Sequence, residues 1–234
     1  MILLDIQTIL EADRHLLSFF NGSNSAFMDG WMTSLTSGIT WIPLYIALFY
    51  LVVKNSETMS HILLIVGCTA LCVLLADGMA DFVAKPLVGR WRPCNDPMFK
   101  YAVSVVAGER GSDYGFFSAH ASNTFSIAMF FCLLVRSRVL SISLFVWSLV
   151  NCYTRMYLGL HYPLDIFCGL LWGALSGSVA YYVYYKVNSR ISQTGSFISS
   201  QYTSTGYNMD DVDIVMLVLV ATSIYTIIRA LLLF

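Results

Sequence analysis

Charge is scarce in this chain. Only 12% of its 234 residues are Asp, Glu, Lys or Arg, against roughly 25% in an ordinary soluble domain, which excludes a protein wrapped in water on all sides. Neither sign is in excess, with 13 basic against 14 acidic residues. That balance removes the basic footprint needed to hold nucleic acid, and the lack of a run of like charge removes a polybasic lipid anchor. Cysteine is present without a pattern. Cys68, Cys72, Cys132, Cys152 and Cys168 lie inside apolar stretches and only Cys94 sits in a polar connection. They read as small hydrophobes, and none has the CxxC or Cys/His spacing of a structural zinc site. The N-terminus lacks a cationic leader, and Asp5, Glu11 and Asp13 interrupt its apolar run, so a cleaved signal is not expected. Neither an internal repeat nor a second domain is visible.

What fills the chain instead is apolar surface: 57% of residues are hydrophobic and the mean hydropathy is positive, which points to a bilayer as solvent. A spanning helix needs about 20 mostly apolar residues. Windows of that kind start near Trp31, His61, Ala121, Val139, Asp165 and Val212. The expected fold is therefore all-α, a polytopic membrane helical bundle of about six transmembrane helices. Residues 4–20 are expected to form an N-terminal amphipathic interfacial helix, with Ile6, Ile9, Leu10, Leu16, Leu17 and Phe20 on its buried face and Asn21-Gly22-Ser23-Asn24 ending it. Residues 1–187 make up a membrane domain, 188–211 a polar linker rich in Ser, Thr, Gly and Gln, and 212–234 a C-terminal transmembrane helix. His15 and His61 read as interfacial side chains.

Three short polar patches break the apolar pattern: Lys85-Pro86-Leu87-Val88-Gly89-Arg90-Trp91-Arg92-Pro93, then Phe117-Ser118-Ala119-His120, then Thr154-Arg155 followed by His161 and Asp165. With spans alternating sides, all three patches open on the same membrane face. Fixed cations, two histidines and one carboxylate are the parts a metal-free phosphoryl transfer needs. Lys54, Arg136, Arg138, Lys186 and Arg190 fall on the other face. The count of Lys and Arg is close to even between the faces, but with Lys85, Arg92 and Arg155 set aside as site cations the positive-inside tendency makes that face cytoplasmic, which puts the site outside.

The patches resemble the type 2 phosphatidic acid phosphatase superfamily, whose pattern is K-x6-R-P, then P-S-G-H, then S-R-x5-H-x3-D. Lys85, Arg92 and Pro93 match the first element, Ser118 and His120 the second, and Arg155, His161 and Asp165 the third, at the family spacing. The resemblance covers roughly residues 77–172, the catalytic core. Phe117 and Ala119 depart from the second element, and Thr154 stands where the third has Ser. Thr keeps the hydroxyl, and Ala keeps the backbone N–H that a phosphate oxygen can use.

Physical roles follow, and the resemblance implies the same assignment. His161 is the nucleophile. Pro163 favours a first helical turn, so Asp165 can reach back toward the imidazole and fix its tautomer. His120 protonates the leaving alkoxide and then deprotonates the water that breaks the phosphohistidine. Ser118 caps a helix whose free N–H groups, Ala119 included, face the phosphate. Lys85, Arg92 and Arg155 neutralise its oxygens. Asp81, four residues before Lys85, is placed to hold it, and Asp77 and Thr154 are supporting candidates. Arg90 reads either as a head-group contact or as an interfacial anchor.

The resemblance implies a bacterial inner-membrane lipid phosphatase with its site on the extracytoplasmic face, working without cofactor or metal. Its partners are membrane lipids and a lipid phosphate substrate. Undecaprenyl diphosphate is slightly favoured, alongside phosphatidic acid and phosphatidylglycerol phosphate, with a lipid A phosphatase as the alternative. A reading of another class makes Asp77, Asp81, His120 and Asp165 a proton or ion path in a coupled transporter. A third makes His120, His161 and Asp165 metal ligands, which the adjoining cations oppose. The sequence leaves oligomeric state open.

Overall fold

The computed structural model describes residues 2–106, 108, 110–191 and 201–233. Among them the chain is helical with no strand. In order run α1 (Ile2–Phe20), α2 (Ala26–Thr36), a 3-10 turn (Gly38–Trp41), α3 (Ile42–Lys54), α4 (Met59–Asp77), a π-helical segment (Gly78–Ala84), α5 (Lys85–Val88), α6 (Ala119–Val135), α7 (Arg138–Tyr157), α8 (Pro163–Ile191) and α9 (Met209–Leu233). Helix starts follow the hydroxyl residues. Ser25, Thr58, Ser118 and Ser137 cap α2, α4, α6 and α7, each accepting a first-turn N–H on its side-chain oxygen.

Among the described residues four helices are long and apolar enough to cross a membrane: Met59–Val88, Arg138–Tyr157, Pro163–Arg190 and Met209–Leu232. A fifth crossing arises if α2 and the Gly38–Lys54 stretch count as one span bent by 64°. The single straight span expected from Trp31 to Lys54 is thus broken. Ser37 is extended, Thr40 Oγ1 donates to the Ser34 carbonyl, and Trp41 Nε1 donates to the Leu35 carbonyl. These bonds satisfy carbonyls that a continuing helix would have used, and Pro43 then starts α3 where its missing N–H costs nothing. The third expected span, α6, has 17 residues, short of the roughly 20 a bilayer needs. It packs instead inside the bundle against α4, α7 and α8.

Helices α6 and α8 approach each other closely. Gly169, Gly173 and Gly177 of α8 face Ser118, Ser122 and Ser126 of α6, and a Cβ on any of the three glycines would stand 2.5–2.7 Å from a serine carbonyl oxygen. Small residues at four-residue spacing let two backbones nearly touch. This contact locks the N-terminal ends of α6 and α8 side by side, which matters below. Large hydrophobics such as Phe49, Leu63, Leu74, Phe82, Leu171 and Leu217 remain exposed on the outside of the bundle, as a lipid-facing surface requires.

Helix α1 forms where expected. Leu17 is fully buried and Asp13 nearly so, while Ile9 and Leu16 are exposed with Phe19 beside them; the Ile6 side chain lies outside the described residues. A buried carboxylate at Asp13 means that α1 docks through polar as well as apolar contacts. The end of α8 reaches Ile191, and α9 begins at Met209. Of the expected linker, residues 192–200 lie outside the described residues. Residues 201–208 fold against the bundle, with Thr205 Oγ1 donating to the Val135 carbonyl and Asn208 N to Asn55 Oδ1.

Candidate active site

The site is assembled at one end of the bundle from helix ends and two loops. The loop after α5 starts at Gly89, whose left-handed φ of 60° ends the helix while its N–H returns to the Lys85 carbonyl. Its two arms are clipped by a bridge between Trp91 and Tyr114, with Arg92 N donating to the Asp113 carbonyl and Gly115 N to the Arg90 carbonyl. In such an extended stretch, alternate side chains share a face. Arg90 and Arg92 point inward together, and Trp91 points out.

Arg92 is buried and fully committed. Nε donates to the Ser112 carbonyl at 2.7 Å, Nη2 to Ser112 Oγ at 3.2 Å, and Nη1 to both the Leu160 carbonyl at 3.1 Å and His161 Nε2 at 2.8 Å. The same loop is tied to the α7–α8 turn by Cys94 N donating to the Gly159 carbonyl. Glycines make room for it. A Cβ at Gly111 or Gly115 would press on the Arg92 side chain at 3.2 Å, and at Gly115 on Asp165 Oδ2 as well.

His161 is 2% exposed. Burial, followed by the positive charges of Arg92, Arg155 and Lys85 and by His120, pushes its imidazole well below the ordinary value near 6.5. It is therefore neutral at physiological pH, with a lone pair to offer. Its Nδ1 finds no hydrogen-bond partner among the described residues. The expected pairing with Asp165 is not made: Asp165 Oδ2 stands 3.7 Å away, too far for a hydrogen bond. Asp165 is spent elsewhere, because its Oδ2 accepts from Tyr162 N at 3.1 Å and its Oδ1 from Arg90 Nη1 at 2.8 Å. Reading the His-x3-Asp spacing alone overlooks Arg90 as a competitor for the carboxylate.

The other expected residues divide into two groups. Ser118 caps α6 through Ala121 N, and its own N–H donates to the Asp165 carbonyl, so the first turns of α6 and α8 are joined there. The N–H groups of Ala119 and His120 lie in that first turn, where no preceding helical carbonyl can take them. His120 is in range of His161 electrostatically, and its Nε2 is buried with no hydrogen-bond partner among the described residues. Lys85 pairs with Asp81, and Arg155 donates from Nη1 to Thr36 Oγ1 at 2.8 Å. Outside this group, Asp77 accepts from Asn123 at 2.6 Å, and the Thr154 hydroxyl is turned back onto the Asn151 carbonyl of its own helix. Away from the site altogether, His61 Nε2 meets the Tyr184 hydroxyl at 2.9 Å rather than standing as a lone interfacial side chain.

Two residues of α1 belong to this end of the molecule and carry no motif. Asp13 Oδ2 accepts from Arg90 Nη2 at 2.5 Å and Oδ1 from Leu164 N at 2.9 Å. Arg14 pairs with Asp96 at 3.1 Å, and the Tyr162 hydroxyl donates to the same carboxylate. The one sequence signal was an acid inside an otherwise apolar helix face.

Comparison with known proteins follows the same lines. Residues 61–189 match the profile of the PAP2 superfamily. A lipid A 4′-phosphatase of Bacteroides thetaiotaomicron is 38% identical over 187 residues, covering 80% of this chain and 83% of that protein. A lipid A 4′-phosphatase of Porphyromonas gingivalis is 35% identical over 187 residues, covering 79% of this chain and 78% of that one. Among solved structures, the crystal structure of Aquifex aeolicus LpxE shares the fold, with a TM-score of 0.51 at 22% identity over 72% of this chain and 93% of that one. With a family profile spanning more than half its length and two close relatives matched over most of theirs, the chain belongs to the PAP2 superfamily, as a membrane phosphatase acting on lipid phosphates.

Proposed function

We propose that this enzyme removes the 4′-phosphate of lipid A through a phosphohistidine on His161. The substrate rests on the two lipid A 4′-phosphatase relatives, each matched over about four-fifths of the chain. They favour the lipid A alternative over the undecaprenyl diphosphate that the family resemblance slightly favoured. The chemistry rests on one observation: a buried imidazole whose Nε2 faces a guanidinium at 2.8 Å.

A phosphate entering between them takes the Arg92 N–H for its own oxygen and leaves the Nε2 lone pair aimed at phosphorus. Lys85, Arg155 and the first-turn N–H groups of α6 hold the remaining oxygens. The N–P bond forms as the P–O bond to the sugar breaks, and His120, whose pKa burial and then Arg155 hold down at about 4 before substrate enters, takes up a proton as the anionic phosphate arrives and gives it to the departing sugar oxygen. His120 then takes a proton from water, whose oxygen attacks phosphorus, releasing inorganic phosphate and restoring His161. Asp81 steadies Lys85. The crowd of fixed cations opposes a divalent metal at the same place, and the scheme needs none.

The test is phosphate release by purified protein in detergent from lipid A, phosphatidylglycerol phosphate, phosphatidic acid and undecaprenyl diphosphate. Lipid A is expected to turn over fastest, with mass spectrometry showing loss at the 4′ position. Loss of a covalent nucleophile removes most of the catalytic power, so His161→Ala is expected to cost at least about a thousandfold on every substrate. Faster turnover of undecaprenyl diphosphate would return the substrate assignment to the polyprenyl class.

A further inference from the structure

The span broken at Ser37 leaves a groove on the outside of the bundle. Ile39 and Pro43 of the elbow form one wall and Val218, Ala221 and Tyr225 of α9 the other, with Arg229 the last residue along it. The groove holds about 520 Å³, within the roughly 300–1,000 Å³ of pockets that take small ligands. Helix α9 starts at the end of the bundle remote from His161, where Asp211 accepts from Asn55 at the foot of α3. It runs toward the site end, where Trp31 Nε1 of α2 donates to Thr226 Oγ1 at 3.0 Å. From Val218 to Arg229 it rises about 16 Å, close to half of the roughly 30 Å hydrocarbon core. The groove is therefore one leaflet deep, on the site side, with its arginine at head-group level. Neither wall falls within residues 61–189, the part matched by the family profile, so the groove lies outside the shared catalytic core.

Charge and continuity say what fits there. An arginine on the exposed face of a spanning helix is costly unless an anion meets it, and Arg229 is exposed and pairs with no acid among the described residues. A helical side chain leans toward its own N-terminus, which for Arg229 is down into the groove; simple snorkelling to water would turn it the other way. The elbow is also tied to the phosphate site, because Arg155 Nη1 donates to Thr36 Oγ1 at 2.8 Å just before the break. Helix α7, which carries Arg155, packs against both α2 and α9, so about one helix spacing of 8–10 Å separates the two places. An anion at the groove mouth, an apolar chain below it and a first phosphate one helix away describe a lipid with a phosphate at each end of its head group. We infer that the groove is a second subsite for the lipid substrate, in which one acyl chain lies along Ala221 and Tyr225 while Arg229 holds the phosphate that is not hydrolysed. With lipid A, and on the reading of lipid A as substrate, that is the 1-phosphate when the 4′-phosphate stands at His161. Lipid tails are as apolar as the groove, so a chain gains little by leaving the bilayer for it. The phosphate contact supplies the affinity, and the groove sets the register of the lipid.

The test measures release of the 4′-phosphate in detergent micelles from lipid A carrying both phosphates and from the form that lacks the 1-phosphate, with kcat and KM separated. Wild type is expected to favour the bisphosphate by about tenfold in kcat/KM, chiefly through KM, the scale of one hydrogen bond between charged groups. Arg229→Gln is expected to erase that preference and Arg229→Lys to keep part of it, since charge survives without the fork. Ala221 is exposed on the groove wall, so Ala221→Phe fills the groove without entering the packed bundle. It is expected to raise KM for the bisphosphate several-fold with kcat changed less. Val220 is 48% exposed on the opposite face of α9, and Val220→Phe is the control, expected to leave both constants as they are. Equal kcat/KM for the two lipid A forms in wild type, or a preference that survives in Arg229→Gln, would overturn the inference. Equal effects of the two phenylalanines would overturn it as well. Native mass spectrometry covers the other occupant: a phospholipid carried through purification by wild type and lost from Arg229→Gln, with the bisphosphate preference intact, would give the groove to a resident lipid. Faster turnover of undecaprenyl diphosphate than of either lipid A form would overturn the substrate reading itself, whereas lipid A turned over fastest with no bisphosphate preference sinks the groove alone.

Discussion

His161 shows how much of this site is decided by what surrounds a residue rather than by the residue itself. Its imidazole is depressed by burial first and by neighbouring cations second. The folded state then resists a proton that the unfolded chain accepts near pH 6.5. Stability from this group is complete above pH 6.5 and is lost as pH falls below it, so melting temperature in detergent is expected to drop between pH 7 and 5. The drop is expected to be smaller in His161→Gln, measured by the same thermal scan, and an identical slope in both proteins would count against a buried neutral imidazole. Arg92 offers a second test at this scale. Lysine would keep its charge but lose the fork that reaches the Ser112 and Leu160 carbonyls together with His161. A hydrogen bond to a charged group is worth about 1.5–3 kcal/mol. Losing one such bond in the transition state corresponds to about ten- to a hundredfold, so Arg92→Lys is expected to lower kcat/KM by at least that factor with the fold intact.

Elements bring these residues into register, and the α6–α8 contact is the one whose failure should be felt at the site. Gly173 has no room for a Cβ, which would stand 2.7 Å from the Ser122 carbonyl and 3.0 Å from the Phe125 Cβ. Overpacking of this kind costs about 1–3 kcal/mol. Gly173→Ala is therefore expected to lower the melting temperature and, by parting the first turns of α6 and α8 near Ser118 and Asp165, to lower turnover as well. Gly67, in the middle of α4 with nothing within 4 Å of a built Cβ, is the control. Gly67→Ala is expected to be neutral or to stabilise by about 0.5–1 kcal/mol. Equal damage from both substitutions would show that the Gly-Ser seam has no special place in the fold. The seam was open to view in the sequence as Gly169, Gly173 and Gly177 against Ser118, Ser122 and Ser126. Hydropathy counting passes over it because it weighs apolar length, not the small residues that let helices meet.

At the scale of the molecule, what was legible in the sequence is what depends on local spacing. Lys85, Arg92, His120, His161 and Asp165 stand in short patterns at span ends, and span ends follow from hydropathy. The break near Thr40 and Trp41 was not legible, because it is made by side chains reaching back to helix carbonyls. The pairing of Arg90 with Asp13 was not legible either, since it exists only after α1 has docked on the far side of the sequence. Orientation belongs to the whole molecule too. Lys54, Arg136, Arg138, Lys186 and Arg190 lie on the ends of α3, α6, α7 and α8 remote from His161, and the bias of Lys and Arg that would mark this end as cytoplasmic emerges only once Lys85, Arg92 and Arg155 are set aside as site cations. Impermeant thiol labelling of intact cells can test this, provided that the probe positions are open. Ser137 is a poor choice, being a buried cap. Val139 is 55% exposed at the remote end and Met98 is 86% exposed at the site end. In a background freed of the six native cysteines, Met98→Cys is expected to label in intact cells and Val139→Cys only after permeabilisation. The opposite pattern would place the phosphatase site in the cytoplasm and require that its substrate be met before leaving the inner leaflet.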